Sequence, residues 1–248
     1  MATYRARPRR LRGQRRGLTH LLALGLLLAG LLAAAPAWSQ ERLWLAGAEL
    51  SPGNSYAYAG VLLPAFGGNL GEGFVQRYWV DRVTYRYDSN GQTIEAKGPG
   101  AEAALGYVTP TTGGSLSGML GIVYRDTRLS PDDPDSAARG AHWRVKAQGE
   151  FNHALTDELD LALMASYVFG QRGYWSRARL GHALGNGLRA GPELVIQGDP
   201  DYRVTQYGAF LTGLRLSSSV QAGVKAGMRD QRDESTRGYL GLELTGLF

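Results

Sequence analysis

The stretch His142-Trp143-Arg144-Val145-Lys146-Ala147-Gln148-Gly149-Glu150-Phe151 decides the fold. Its even positions are polar or charged, and its odd positions are apolar or small. A period of two sends successive side chains to opposite faces, so this segment reads as a β-strand between two environments. Outward from it the pattern recurs. Leu159, Leu161, Leu163, Ala165, Tyr167 and Phe169 alternate with Asp160, Ala162, Met164 and Ser166. Arg189, Gly191, Glu193 and Gln197 oppose Leu188, Ala190, Leu194 and Ile196. Val220, Ala222, Val224, Ala226 and Met228 oppose Gln221, Gly223, Lys225, Gly227 and Arg229. Leu116, Leu120, Ile122 and Tyr124 share one face of a further segment.

Repeated two-faced strands fit either a soluble sandwich or a transmembrane barrel with lipid outside and a polar lumen. Length separates the two. Segments 73–87 and 140–152 exceed the five or six residues usual in sandwiches, whereas a tilted membrane-spanning strand needs about 9–11. The polar face also mixes glycine with arginine and glutamate, as a narrow lumen would. The chain ends in Phe248, with Leu240, Leu242 and Leu244 on the same parity. That ending resembles the C-terminal assembly signal of outer-membrane barrels. The reading is therefore all-β: an antiparallel transmembrane outer-membrane β-barrel over residues 40–248.

The expected strands are 41–50, 55–64, 73–87, 93–108, 115–127, 139–152, 159–170, 173–181, 188–198, 202–215, 219–229 and 237–248. An even number closes with both termini on the periplasmic side; the count falls from twelve to ten if 41–64 does not form two full spans. Asn90-Gly91 has the residues of a tight hairpin turn. It shares the extracellular side with the polar loops 130–136, 197–201 and 229–235, while the periplasmic turns are mostly short. Strand 73–87 is untidy, because Arg77 and Asp81 share a face with Val75, Trp79, Val83 and Tyr85. A bulge or a nearby partner side chain would account for it.

Charge sharpens the picture. The chain of 248 residues carries 27 Lys+Arg against 22 Asp+Glu. Seven of those arginines lie in residues 1–39, which contain no acid, so the remainder holds 20 basic and 22 acidic residues. A nucleic-acid partner is not expected once this leader is set aside. Leu21–Ala35 is apolar and uncharged, and small residues follow near 37 and 39. Residues 1–39 are accordingly expected to be a cleaved signal peptide, the apolar run being short for a membrane anchor. Cysteine is absent, which excludes disulfides, thiolate metal sites and cysteine nucleophiles.

Four segments together resemble a known family. GAELSPGNSYAYAGVLLP (47–64), YDSNGQTIEAKGPGAEAALGY (87–107), YRDTRLSPDDPDSAARG (124–140) and GPELVIQGDPDYR (191–203) are similar to the cellulose biosynthesis protein BcsS family. The resemblance runs through nearly the whole region after the leader. It implies a small outer-membrane protein associated with bacterial cellulose secretion and carries no catalytic or ligand-binding residue with it.

Chemistry is sparse. His142, His153 and His182 include no His-x-Ser, and there is neither a G-x-S-x-G elbow nor a phosphate loop. The acidic run Asp132-Asp133-Pro134-Asp135 lacks the spacing of a calcium loop and reads as a solvated turn. No cofactor or metal is expected. The polar face offers a charge ladder: Arg144, Lys146, Arg177, Arg179, Arg189, Lys225 and Arg229 alongside Glu102, Glu150, Glu193 and Glu243. Unpaired cations would line an anion-selective channel, whereas pairing would close a narrow lumen, because isolated charges there are costly. The glutamates favour pairing. Aromatics can stack on sugar faces, but Tyr56, Tyr58, Trp79, Trp143, Tyr167 and Trp175 are read as interfacial girdle residues. The expected function is a non-enzymatic accessory of cellulose secretion. Its expected partners are outer-membrane lipid, lipopolysaccharide, and the secretion complex or cellulose itself. The alternatives are a narrow porin for small anions or oligosaccharides and a lipid A-modifying enzyme.

Overall fold

The computed structural model describes residues 41–200, 202–232 and 234–248. The expected signal peptide at 1–39 lies outside the described residues. Alternating side chains build twelve strands: β1 (Leu43–Ser51), β2 (Asn54–Pro64), β3 (Gly73–Ser89), β4 (Gln92–Thr111), β5 (Gly114–Ser130) and β6 (Gly140–Ala154), followed by β7 (Leu159–Val168), β8 (Gly173–Gly185), β9 (Leu188–Gly198), β10 (Arg203–Arg215), β11 (Val220–Gln231) and β12 (Arg237–Leu247). Each strand pairs antiparallel with its sequence neighbours, and β1 pairs with β12 to close the barrel. Closure satisfies every sheet edge, which is what lets strands cross lipid at all. Residues 41–64 form two full strands, so the count is twelve and not ten.

Backbone bonds continue past β12 at the closing seam. Phe248 N–H donates to the Arg42 carbonyl at 3.0 Å, and Arg42 N–H donates to the Phe248 carbonyl at 3.2 Å. Tight turns use the expected chemistry. Asn90-Gly91 and Asn186-Gly187 place two consecutive residues at positive φ (51° and 76°, then 54° and 80°), the geometry of a type I′ hairpin turn that follows the strand twist.

Facing is set by the two-residue period. Outward side chains are large and apolar, with Leu120 61% and Leu240 62% exposed. A row of this kind facing water would be an aggregation surface, whereas against lipid it costs nothing. Both termini sit at one end, the periplasmic end in bacterial barrels. At the other end the β3–β4 hairpin outgrows its neighbours. β3 and β4 have 17 and 20 residues, β2 stops pairing at Ser55–Thr84, and Tyr87, Ile94 and Ala96 form a small buried cluster beyond the membrane-spanning part.

The untidy face of β3 now has its reason. Pairing of β3 with β2 and β4 runs without a register shift, so no bulge is involved. Val75, Arg77, Trp79, Asp81, Val83 and Tyr85 all face the lumen, where the two charges meet nearby partner side chains, Arg77 with Glu102 and Asp81 with Arg125. Near the periplasmic end Val75, Val108 and Met119 pack together with Leu62 and Ala104 against them. Nearer mid-height the charges begin.

Candidate functional site in the barrel lumen

The inner face carries two charged hubs on opposite walls. The first centres on Glu102 of β4. Its carboxylate accepts hydrogen bonds from the Arg77 guanidinium and, at 2.8 Å, from Lys146 Nζ. Arg77 also donates to Gln148 Oε1 at 3.0 Å, and Gln148 donates to Glu150 at 2.6 Å. Alternation brings these groups together: β3, β4 and β6 each turn one parity inward.

The second hub centres on Arg179 of β8. It donates to Glu193 at 2.6 Å on the adjacent β9, and to both Glu243 oxygens at 2.9 Å on β12 across the lumen. Arg177 reaches the same Glu243 at 3.3 Å. Lys225 bonds Glu49 at 2.6 Å, and the fully buried Gln206 donates to that carboxylate at 2.5 Å. The Glu193 side chain is 0% exposed. A carboxylate so enclosed persists only when cations and donors satisfy it.

The remaining ladder residues lie towards the two ends. Arg189 of β9 pairs with Asp160 of β7 near the periplasmic turns. Arg125 pairs with Asp81 at 2.6 Å on the extracellular side of the hubs. Arg144 donates to the Ala137 carbonyl at 2.7 Å, and Arg229 donates to the Tyr202 hydroxyl and to Gln231. Tyr202 sits in the β9–β10 loop, where burial pushes its phenol up to about 12 and keeps it neutral.

Sequence reasoning named Arg144, Lys146, Glu150, Arg177, Arg179, Arg189, Glu193, Lys225, Arg229 and Glu243, and the structure places all ten on the inner face. Glu49, Arg125 and Gln206 were missed, and Arg77 and Asp81 were noted on β3 without being assigned to the ladder. Their polarity was visible, yet their partners are remote in sequence: Gln206 meets Glu49 at a separation of 157 residues.

The girdle assignment of aromatics needs correction. Trp143 is 74% exposed and Tyr167 also faces outward, as a girdle residue does. Tyr56, Tyr58, Trp79 and Trp175 instead line the interior. Trp79 stacks on Tyr58 with centroids 4.5 Å apart and 12° between planes, and its Nε1 donates to the Tyr56 hydroxyl at 3.3 Å. Glycines on the neighbouring strand make this possible. A Cβ at Gly60 would come within 2.2 Å of the Trp79 ring, and one at Gly47 within 2.7 Å of Tyr58. The rings occupy space that any other residue would fill.

A cavity of about 580 Å³ follows the lumen, from Leu43, Leu62 and Leu70 at the periplasmic end to Tyr85, Asp199 and Tyr202 at the other, and is lined both by this aromatic wall and by residues of the two charged hubs. Its volume falls within the range of ligand cavities. Glu193, Val195 and Val204, on β9 and β10, are closely packed and do not line it.

Catalytic groupings do not emerge from these contacts. His142 Nε2 lies 2.6 Å from the Arg139 carbonyl, His153 stacks on Phe151, and His182 is on the outer face. Outside the membrane, Asp132 is bonded bidentately by Arg139 at 2.7 and 2.8 Å, and Asp133 accepts from Tyr87 at 2.9 Å. The Asp132 carboxylate holds the Arg139 guanidinium above its usual range. Among the described residues no group of three or more His, Cys, Asp or Glu is placed to hold a metal.

A closed twelve-strand barrel with an apolar exterior and a polar, hydrogen-bonded interior is an outer-membrane β-barrel of a Gram-negative bacterium. Solved structures agree on the fold. The KdgM porin superposes with a TM-score of 0.52 at 14% identity, over 83% of this chain and 99% of that one. The KdgM porin in complex with disordered oligogalacturonate gives 0.53 at 13%, with the same coverage. The TodX deltaS2S3 mutant monoaromatic hydrocarbon channel gives 0.50 at 8%, over 87% and 91%. No match is found among curated proteins. The chain belongs to the family described as cellulose biosynthesis protein BcsS, whose pattern matches residues 43–248. It is thus a barrel protein associated with cellulose biosynthesis.

Proposed function

We propose that this barrel is a non-enzymatic accessory of cellulose secretion, embedded among outer-membrane lipid and lipopolysaccharide and acting on the secretion machinery or the emerging polysaccharide. The observation that carries the proposal is family membership over the whole barrel. The lumen supports it. Its glutamates are engaged by Arg77, Lys146, Arg177, Arg179 and Lys225, so the mid-height part of the basic ladder is committed to structure, which argues against the continuous free cation track that an anion porin needs. The contacts of the histidines argue against a lipid A-modifying enzyme, which would need a base beside its nucleophile.

The porin reading is favoured by one feature, the cavity that follows the lumen wall. Planar-bilayer recording separates the two. The purified barrel is expected to insert without stable open-channel steps, and persistent ohmic conductance would overturn the accessory reading in favour of a porin.

A further inference from the structure

We infer that the lumen cavity is a binding site for a segment of neutral β-linked glucan, held by the aromatic wall formed by Tyr58, Trp79, Tyr56 and, further out, Tyr85 and Tyr202. The choice of glucan rests on the cellulose assignment above; the site itself rests on the geometry that follows.

A pyranose ring has two kinds of surface. Its axial C–H groups make apolar faces, and its equatorial hydroxyls form a polar rim. A complementary site needs flat aromatic faces and, beside them, hydrogen-bonding groups at the rim. Trp79 and Tyr58 supply the aromatic surface as a cluster, stacked on each other at 4.5 Å over Gly60 and Gly47, with Arg77 5.9 Å from the Trp79 ring centre. Aromatic side chains supply large contact area at small entropic cost and keep a polar handle for the rim. Tyr85 lies six residues beyond Trp79 on the same parity of β3, about 20 Å along the strand, and meets Tyr202 at 4.9 Å. The track is therefore elongated, as a chain of sugar rings requires.

The polar complement is present too. Among the described residues, Asn54 Oδ1, Arg125 Nη1 and Arg229 Nε are buried without a hydrogen-bond partner, and all three residues line this cavity. Asn54 and Arg229 are nine-tenths buried or more. Buried polar atoms left open are rare and costly unless something meets them. Each atom has less than 1 Å² of accessible surface, so a sugar hydroxyl reaches it after a small side-chain movement, donating to the first and accepting from the other two.

Charge bears on the class of sugar. At mid-height an acidic oligosaccharide would have to draw Arg77 from Glu102, or Arg177 from Glu243, and strand a buried carboxylate each time, although nearer the extracellular end Arg144 and Arg229 bond neutral groups. A neutral glucan leaves those pairs intact. The cellulose assignment therefore selects the neutral occupant, and the mid-height pairs are compatible with it.

The test titrates cellohexaose, and separately a galacturonate hexamer, into the full barrel in detergent by calorimetry. Wild type is expected to bind cellohexaose and not the acidic oligomer. Trp79→Ala is expected to weaken binding at least about tenfold, a shift of about 1.4 kcal/mol, while Trp79→Phe retains most of it and the outward Trp143→Phe retains all of it. Gly60→Ala, which displaces Trp79 without removing it, is expected to weaken binding in a barrel that still folds. Failure of wild type to bind, preference for the acidic hexamer, or equal affinity in Trp79→Ala would each overturn the site. Binding in the absence of any cellulose phenotype would leave the site standing and remove only the process assignment.

Discussion

Replacing Arg179 with methionine is expected to cost about 3–5 kcal/mol of barrel stability, the loss typical of a buried ion pair broken from one side. The residue answers two carboxylates at once, Glu193 at 2.6 Å and Glu243 at 2.9 Å. Glu243 keeps Arg177 at 3.3 Å, but Glu193 is left with Lys225 at 3.8 Å and the Tyr239 hydroxyl at 3.4 Å. Neither makes a strong charge-assisted bond at such a distance. Water cannot substitute easily at a side chain with no exposed surface. Urea unfolding of barrel reconstituted in lipid vesicles measures the effect. Adding Glu193→Leu to the variant should restore most of the loss, because the stranded charge then disappears. A loss below about 1 kcal/mol, typical of solvated pairs, would show that the hub is hydrated and the lumen wetter than described.

Phe248→Ala is expected to remove most of the protein from the outer-membrane fraction while leaving the stability of barrels that do assemble within about 0.5 kcal/mol, the usual range for an exposed side chain. The two halves of this expectation come from different parts of the residue. Its backbone closes the β1–β12 seam against Arg42, and alanine keeps those bonds. Its ring is 49% exposed and stands in the outward row with Leu240, Leu242 and Leu244, so the folded barrel needs it little. A ring that matters before folding and not after it acts as a recognition element for assembly. Fractionation with quantification of folded barrel tests this. Equal outer-membrane levels would remove the assembly role, and a large stability loss would make the ring structural instead.

Much of the barrel was legible because one physical rule covers it. Where one face meets lipid and the other a lumen, alternation is enforced residue by residue, and the strand boundaries follow wherever alternation stops. Expected and observed strands therefore differ mostly by a few residues at their ends, as at β8, which runs to Gly185 and not 181. The interior was less legible, and for a definite reason. Polarity identifies a lumen residue but not its partner, and the hubs join strands distant in sequence, as in Arg177 to Glu243. Aromatics were harder still. Tyrosine and tryptophan suit both the lipid interface and a sugar face, so Trp143 and Trp79 look alike in one dimension. The distinguishing signal is the glycine opposite: Gly60 pairs with Trp79 and Gly47 with Tyr58. That signal needs the strand register, which only the folded barrel supplies. Arg77 and Asp81 posed the same problem on β3, where lumen packing required apolar and charged side chains on one face.

Cellulose at the cell surface is the decisive readout for the proposed role. Deleting the gene in its own cellulose-producing host and measuring exported against cell-retained cellulose is the most direct test. Export is expected to fall or to lose its normal surface distribution, and to return when the wild-type barrel is supplied in trans. Unchanged amount and distribution of surface cellulose in the deletion strain would contradict the proposed role, whatever the barrel itself proves to bind.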